Sequence, residues 1–180
     1  MKLNLGCGAN KIPGFINVDV DPKMEPDVVF NFTGKFPYKD GEVEEVVAYH
    51  VLEHIPKSAH PFIYDEIYRV LQPGGFLTLS FPEFTACYDN WKSNYRGLKD
   101  FWEATLYGRQ ASPSDFHVCI MEREVVARQL VRQGFGILVC DIEPLEKHNS
   151  VVKALKMDKF TYQQAMAETL SGTSGIKASN

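Results

Sequence analysis

Residues Leu3 to Asp21 read LNLGCGANKIPGFINVDVD, and this stretch decides the fold. Alternating apolar residues at its start predict a buried β-strand, and a second apolar run, Phe15 to Val18, predicts the neighbouring strand. Between the two strands, Gly6 and Gly8 allow a sharp turn at which a ligand can approach the backbone closely. The order of strand, Gly-x-Gly turn and strand is typical of proteins that bind a nucleoside cofactor.

Asp19 falls at the carboxyl end of the predicted second strand. An ionised carboxylate has two oxygens that only accept hydrogen bonds, so Asp19 can accept both hydroxyl groups of a ribose. A Gly-x-Gly turn alone is also typical of an ordinary connection between strands, with Asp19 as a solvated turn acid. The combination of that turn with an acid at the end of the next strand favours a nucleoside-binding site.

The glycine pattern argues against a nicotinamide dinucleotide. The fingerprint for that cofactor needs a third glycine three residues after the second, at the start of a helix that supports the pyrophosphate. Here residues 9–11 read Ala-Asn-Lys, and residues 9–14 leave room for at most one helical turn. A cofactor without phosphates loses less from the missing helix N-terminus.

Composition indicates an ordinary globular protein. The chain has 180 residues, is 44% hydrophobic and 23% charged, and carries a net charge of −4, which is typical of one domain. This acidic balance does not indicate a nucleic-acid partner, although a locally basic stretch lies between Lys92 and Arg109. We expect neither a membrane span nor a signal peptide. The four cysteines lack metal-like CxxC spacing and indicate buried, reduced thiols in a cytoplasmic protein.

Strands and helices alternate along most of the chain. Apolar runs predict five further strands, at residues 28–32, 43–49, 76–81, 137–142 and 150–155. Apolar residues at helical spacing predict helices over residues 62–71 and 122–134. Roughly seven residues join the last two strands, too few for a helical crossover, so these strands should form an antiparallel hairpin.

This pattern predicts an α/β fold, a Rossmann-like three-layer sandwich. We expect a mostly parallel seven-stranded sheet that ends in a C-terminal antiparallel β-hairpin. A dinucleotide-binding fold would instead add another crossover and a parallel sixth strand. The hairpin is therefore the feature that best separates the two architectures.

Residues 84–121 interrupt the alternation with an aromatic and charged segment. Loops after the carboxyl ends of strands form the ligand crevice of such sheets, so we expect this insertion to lie over the active site. Its aromatic side chains are equally consistent with a small core that holds the insertion together. We expect a single domain over residues 1–160 and a C-terminal tail over residues 161–180, disordered from residue 171 onward.

Four segments, in this order, resemble the class I S-adenosylmethionine (SAM)-dependent methyltransferases, in particular a small family of predicted methyltransferases with an LNLGCG start. The segments are LNLGCG (3–8), NVDVDP (17–22), FPYKDGEVEEVVAYHVLEHI (36–55) and RVLQPGGFLTLSFPE (69–83). The resemblance resumes more weakly over residues 122–135. It implies an enzyme that uses SAM as its cofactor.

The resemblance also implies where SAM binds. Residues 6–8 would lie alongside the methionine part of SAM, and Asp19 would bind its ribose. Asn31 and Phe32 would lie beside the adenine; the family usually has Asp where this chain has Asn31, so the amide oxygen would make that contact. Residues 50–52 would line the floor near the reactive methyl group. The expected cofactor-binding residues are Leu5, Gly6, Cys7, Gly8, Asp19, Val20, Asn31, Phe32, His50 and Val51.

Methyl transfer from a sulfonium is an in-line displacement, so the protein mainly aligns the acceptor about 3 Å from the methyl group and excludes water. A hydroxyl or amine acceptor also benefits from a nearby base. His50, after the fourth strand, and His117, near the end of the insertion, are the catalytic candidates. Packing beneath the cofactor is an alternative role for His50, and anchoring of a loop is one for His117. Glu53 and His54 are expected to cap and orient their loop, and no metal site is expected.

We therefore expect a cytoplasmic methyltransferase that moves a methyl group to an O, N or C atom of a small-molecule acceptor, with no nucleic-acid or membrane partner. Two alternatives stay open: a nicotinamide-dependent reductase with a Rossmann-like fold, and a non-catalytic SAM-binding protein. The missing third glycine and the terminal hairpin count against the reductase. The sequence does not discriminate against the binding protein, because methyl transfer requires no invariant catalytic side chain.

Overall fold

A seven-stranded sheet forms the centre of the computed structural model, which describes residues 1–111, 115–143, 148–158 and 161–164. Its strands are β1 (Lys2–Leu5), β2 (Ile16–Asp19), β3 (Val28–Val29), β4 (Val43–Tyr49), β5 (Leu71–Pro82), β6 (Phe135–Ile142) and β7 (Asn149–Lys156). The spatial order is β3-β2-β1-β4-β5-β7-β6. The pairs from β3 through β5 are parallel, whereas β7 runs antiparallel to both β5 and β6. The predicted fold class and its terminal hairpin are confirmed.

Helices flank this sheet and supply the other layers of the fold. They are α1 (His60–Val70), α2 (Phe84–Lys92), α3 (Lys99–Tyr107) and α4 (Arg123–Arg132). The α1 helix buries Ile63, Ile67 and Val70, as their helical spacing predicts. Phe62, expected on that apolar face, lies instead on the outer side of α1 and is 42% exposed. None of the described helices is long and apolar enough to cross a membrane.

Two strands, β3 and β5, differ most in length from their predictions, whereas β6 and β7 are each two residues longer than predicted. The strand expected over 28–32 pairs only at Val28 and Val29, because the following residue, Phe30, packs edge-on against Phe32 and Phe36 at ring distances of 5.7 and 5.2 Å. The strand expected over 76–81 begins already at Leu71. The preceding helix already ends at Val70, so the Pro-Gly-Gly segment at residues 73–75, expected to stop that helix, lies instead within β5, where the pairing with β4 is irregular.

The connection from β1 to β2 has no helix: residues 6–15, all of them described, form turns and bends. Buried polar side chains hold this connection against the sheet. The side-chain amide of Asn4 donates to the Asn10 carbonyl oxygen at 3.1 Å and to Oδ1 of Asn17 at 3.0 Å. Asp27 in turn accepts from the backbone N–H of Asn17 at 2.7 Å and from its side-chain amide at 3.0 Å. The length of the connection agrees with the prediction that at most one helical turn fits.

The insertion, residues 84–121, contains α2 and α3 and a returning segment that follows the described residue Asp115. Trp102 is 5% exposed, and its ring nitrogen donates to the Tyr95 carbonyl oxygen at 3.1 Å. Part of the aromatic content therefore forms a small core of the insertion itself, which was one of the two predicted roles. Of the predicted tail, only residues 161–164 are described; the disorder expected from residue 171 lies outside the described residues.

Candidate functional site

The Gly-x-Gly turn lies at the carboxyl end of β1, where both glycines adopt left-handed backbone angles, with φ of 64° at Gly6 and 49° at Gly8. A Cβ added at Gly6 would lie 2.4 Å from Cγ2 of Val51, so this glycine lets the turn pack against the loop after β4. A Cβ added at Gly8 would have no described atom within 4 Å. The two glycines thus have different roles. Gly6 packs against Val51, and Gly8 borders open space that a ligand can occupy.

Asp19 ends β2 and is 8% exposed. Its Oδ2 accepts from the backbone N–H of Gly8 at 2.8 Å, and its Oδ1 accepts from the backbone N–H of Asp21 at 2.9 Å. Each carboxylate oxygen has a second lone pair, so Asp19 can hold the glycine turn and still accept ribose hydroxyls. The residues here fit SAM in this respect: an open cradle at Gly8 lies beside a carboxylate with acceptor capacity to spare.

The other predicted cofactor residues surround this cradle in part. Leu5 and Cys7 are buried, and the backbone N–H of Cys7 donates to the Val18 carbonyl oxygen at 2.9 Å, which ties the turn to β2. Val20 is exposed, whereas Phe32 is buried. Leu5 and Cys7 therefore support the turn, whereas a contact of Val20 or Phe32 with the cofactor stays a prediction.

Asn31 is exposed, and its side-chain oxygen is already engaged. Oδ1 accepts from the backbone N–H of Thr33 at 2.9 Å and from the Thr33 hydroxyl at 2.8 Å. Both lone pairs of that oxygen are used within the chain. A contact between Oδ1 and an adenine amino group stays a prediction, and it requires Asn31 to give up one bond to Thr33.

His50 follows β4 directly and has a left-handed backbone with φ of 57°, which is uncommon for a residue with a side chain. Its ring bridges two buried residues: Nδ1 lies 3.2 Å from Oε1 of Glu53, and Nε2 lies 3.2 Å from the side-chain amide nitrogen of Asn149. Because an amide NH₂ only donates, Nε2 is assigned as the acceptor and Nδ1 as the protonated nitrogen that donates to Glu53. The ring is therefore held in one tautomer.

A cavity of about 370 Å³ lies beyond the carboxyl ends of β4 and β5, beneath α3. His50 and Asn149 form part of its floor, and Phe101, Arg109 and His117 come from the insertion. Among the described residues that line it, His50 also belongs to the predicted cofactor set. The insertion therefore lies over a cavity at the carboxyl edge of the sheet.

His117, the second catalytic candidate, lines this cavity from the insertion. Burial lowers the pKa of His117 below its ordinary value, which favours the neutral ring. His54 packs edge-on against it with ring centroids 4.8 Å apart. The Glu53 carbonyl oxygen accepts from the backbone N–H of Val118 at 2.8 Å, so the Glu53–His54 turn holds the returning segment of the insertion, a part of the loop-orienting role expected for it.

Sequence reasoning missed the contributions of Asn149 and His148 to the cavity. The predicted terminal hairpin could have indicated these two residues. An antiparallel strand begins where its parallel neighbours end, so the first residue of β7 lies at the carboxyl edge of the sheet. The link between His50 and Glu53 was also missed, although the two are three residues apart in the turn after β4.

Known proteins resemble this chain in both sequence and fold. Residues 3–79 match the family model described as a methyltransferase domain. A SAM-dependent methyltransferase from Archaeoglobus fulgidus is 15% identical, with a TM-score of 0.66 over 86% of this chain and 85% of that chain. Another from Methanosarcina mazei is 16% identical, with a TM-score of 0.63 over 87% of this chain and 92% of that chain. No curated protein matches the sequence.

A further solved structure contains a cofactor product. The trans-methyltransferase CalH, in complex with SAH, is 18% identical, with a TM-score of 0.57 over 86% of this chain and 51% of that chain. Identities this low show a common fold alone. Residues 3–79 of the chain therefore match a methyltransferase domain, and the chain as a whole shares the fold of SAM-dependent methyltransferases.

Proposed function

We propose that this enzyme moves the methyl group of SAM to a small molecule held in the cavity beneath α3. One observation carries the proposal: two adjacent residues connect the cradle with the cavity. Val51 packs against Gly6 of the glycine turn, while His50 lines the cavity. A methyl group presented at the turn would therefore lie close to the floor of the cavity.

The size and lining of the cavity favour a small acceptor. A volume of about 370 Å³ is within the usual range for small-molecule sites. Phe101 offers an aromatic face, and Arg109 offers a cation with fixed hydrogen-bond donors. These groups suit a compact molecule with a planar or an anionic part.

SAM, when bound, supplies a methyl group that its sulfonium charge already activates. The residues of the chain then have to align the acceptor and exclude water, and the cavity walls serve both tasks. His50 is the base of this proposal, because its bond to Glu53 leaves Nε2 as the nitrogen that accepts a proton. Nε2 has one lone pair, which accepts from the Asn149 amide, so an acceptor hydroxyl or amine would replace that amide as the donor to Nε2.

The donor side of the proposal uses the residues expected from the sequence. Gly8 would allow the close approach of SAM, Asp19 would accept the ribose hydroxyls, and Asn31 and Phe32 would lie beside the adenine. We also propose a cytoplasmic enzyme with no nucleic-acid or membrane partner. The four cysteines, all described, are free thiols, which supports a reducing compartment. Cys7 and Cys87 are buried as expected, whereas Cys119 is half-buried and Cys140 is exposed.

A binding titration with SAM, SAH and NADH side by side tests the donor. We expect binding of SAM and SAH and none of NADH; binding of NADH alone would instead favour a reductase. A panel of small hydroxyl, amine and carbon acceptors, with SAH release as the readout, then tests transfer. We expect His50→Gln to reduce turnover about 10²- to 10⁴-fold at saturating SAM. Tyr107→Phe, on the outer side of α3, is the matched control.

A further inference from the structure

Glu53, His54 and His117 form a cluster beside the cavity. One potential ligand atom from each lies within 4.8 Å of the others. Glu53 contributes the most unusual group: its side chain is only 2% exposed, and its Oε2 is buried with no hydrogen-bond partner among the described residues. An unpaired carboxylate oxygen in a protein interior is costly, so this atom needs a donor or a cation.

The remaining polar atoms of these side chains are held in place from outside the cluster. Oε1 of Glu53 accepts from His50, and Nδ1 of His54 lies 3.0 Å from the Phe116 carbonyl oxygen. His117 makes a hydrogen bond with the backbone of Thr105. Each imidazole thus has one nitrogen committed to the backbone, an arrangement that metal-binding histidines almost always show, because it fixes the ring and its tautomer.

We propose that Glu53, His54 and His117 bind a divalent transition metal ion of the Zn²⁺ class. Two imidazoles with one carboxylate are a recurrent ligand set for such ions, and they leave further coordination positions open. His54 and His117 both line the cavity, so the open positions would face it. The cavity also supplies the path by which the ion enters.

The present spacing allows this with small side-chain movements. Two nitrogens bound to one tetrahedral Zn²⁺ are about 3.4 Å apart, as the metal–nitrogen distance of about 2.0–2.1 Å requires. The cluster, at up to 4.8 Å, is slightly wider. Side-chain rotation would close this difference.

The site changes the assignment of His117, which becomes a metal ligand and not a base. It also points to acceptors with two neighbouring oxygen or nitrogen donors, which could complete the coordination sphere. Only this statement about acceptors rests on the proposed function. Metal binding itself is independent of SAM and can be measured without an acceptor.

The test uses the full chain, free of any histidine tag and stripped of metal by a chelator. Calorimetric titration with Zn²⁺ should give one equivalent of binding, and Co²⁺ should give the visible absorption of an ion bound by protein nitrogen and oxygen. His54→Ala, His117→Ala and Glu53→Gln should each weaken Zn²⁺ binding at least tenfold. His148→Ala, which removes a neighbouring histidine of the same cavity, is the matched control and should bind like the wild type.

Circular dichroism establishes that each variant is folded, and Glu53→Gln keeps the shape of the buried side chain for that reason. A protein that binds no Zn²⁺ would overturn the proposal. So would undiminished binding in the folded His54→Ala and His117→Ala variants, or an equal loss in His148→Ala. These outcomes leave the SAM titration unaffected, so failure of the metal site is distinguishable from failure of the proposed function.

Discussion

Glu83 and Met121 pair in a parallel β-bridge, and the neighbouring Phe84 donates its backbone N–H to the Met121 carbonyl oxygen at 3.0 Å. The insertion therefore leaves and rejoins the domain at one place, directly after β5. The buried carboxylate of Glu83 stabilises the junction between the insertion and the domain. Its Oε2 accepts from the Ser150 hydroxyl at 2.6 Å and from the Arg123 backbone N–H at 3.1 Å. Because both ends of the insertion are fixed at this one place, substitutions within the insertion need not alter the sheet.

We predict that substitutions inside the insertion leave SAM binding intact. Trp102→Ala removes the buried centre of the insertion and should make it sensitive to proteolysis. SAM affinity should still stay within about tenfold of the wild type, or about 1.4 kcal/mol. Tyr107→Ala, at a side chain that is 59% exposed, should change neither property. A larger loss of SAM affinity in Trp102→Ala would place the insertion within the cofactor site.

A second prediction separates the two glycines of the turn. Gly6→Ala should lower the free energy of unfolding by about 2–4 kcal/mol, because its Cβ would overlap Val51 and its φ is left-handed. Urea denaturation measures this. In the double variant Gly6→Ala with Val51→Ala, the overlap is gone, so the two losses should be less than additive. Strict additivity would show that the Gly6 cost is backbone strain alone.

At Gly8 we expect a substitution to affect SAM binding and not the stability of the fold. Gly8→Val should abolish calorimetric SAM binding and leave the protein folded, because its side chain would enter the open space of the cradle. Gly14→Val is the matched control: Gly14 also has a positive φ, of 81°, with nothing within 4 Å of an added Cβ, but it lies outside the predicted site. Equal SAM affinity in both variants would mean that the turn does not face the cofactor.

A third prediction concerns the two roles of Asp19. Asp19→Asn keeps one oxygen for the turn but exchanges the other for an amide NH₂, so SAM affinity should fall by about 1–3 kcal/mol. Asp19→Ala should cause a similar loss and also destabilise the turn, because the backbone N–H of Gly8 and that of Asp21 lose their acceptor. Calorimetry with SAM and urea denaturation separate the two effects. Wild-type affinity in the folded Asn variant would restrict Asp19 to holding the turn.

The stability of the fold should depend on pH through His60. Its Nε2 lies 3.0 Å from the carbonyl oxygens of Leu52 and Ile55, and burial lowers the pKa of His60 below its ordinary value. The unfolded chain, with a histidine pKa of about 6.5, then binds a proton more readily than the folded chain. The free energy of unfolding is therefore highest above about pH 6.5 and falls as the pH drops from there toward the folded pKa.

Urea midpoints measured between pH 8 and pH 5 test this dependence. His60→Gln, which retains a side-chain NH₂ for the same carbonyl oxygens, should flatten the acid part of the profile. Burial also lowers the pKa of His117, so His117 can contribute to the same pH dependence of stability. The His117→Gln variant measures that contribution. A His60→Gln profile parallel to that of the wild type would contradict the prediction.

The sequence predicts the fold well where a signal is local. The strand β4 has its predicted bounds, because a nearly continuous run of apolar residues at 43–49 has to be buried in the sheet. The strand β3 is shorter than predicted, since periodicity does not reveal that Phe30 turns away to pack with other aromatic rings. The hairpin of β6 and β7 is predictable because its connection is too short for a crossover.

The site is predictable to a smaller extent, for a physical reason. The glycine turn and Asp19 lie close together in the sequence, so their proximity can be inferred from two strands. The cavity instead joins His50 to Asn149 and to His117, which come from three distant parts of the chain. Their meeting depends on the path of the insertion and on where β7 begins, and no local pattern specifies either.

The helix-free connection from β1 to β2 has a consequence for the order of folding. Leu3 pairs with Ile16 on one side and with Val46 on the other. The first pair closes a much shorter loop, so it costs less chain entropy and can form without waiting for distant segments. Parallel strands are usually late, non-local contacts, but here the glycine turn and its carboxylate lie within a single short loop. The nucleus of the sheet and the glycine turn with its carboxylate can therefore assemble as one early unit.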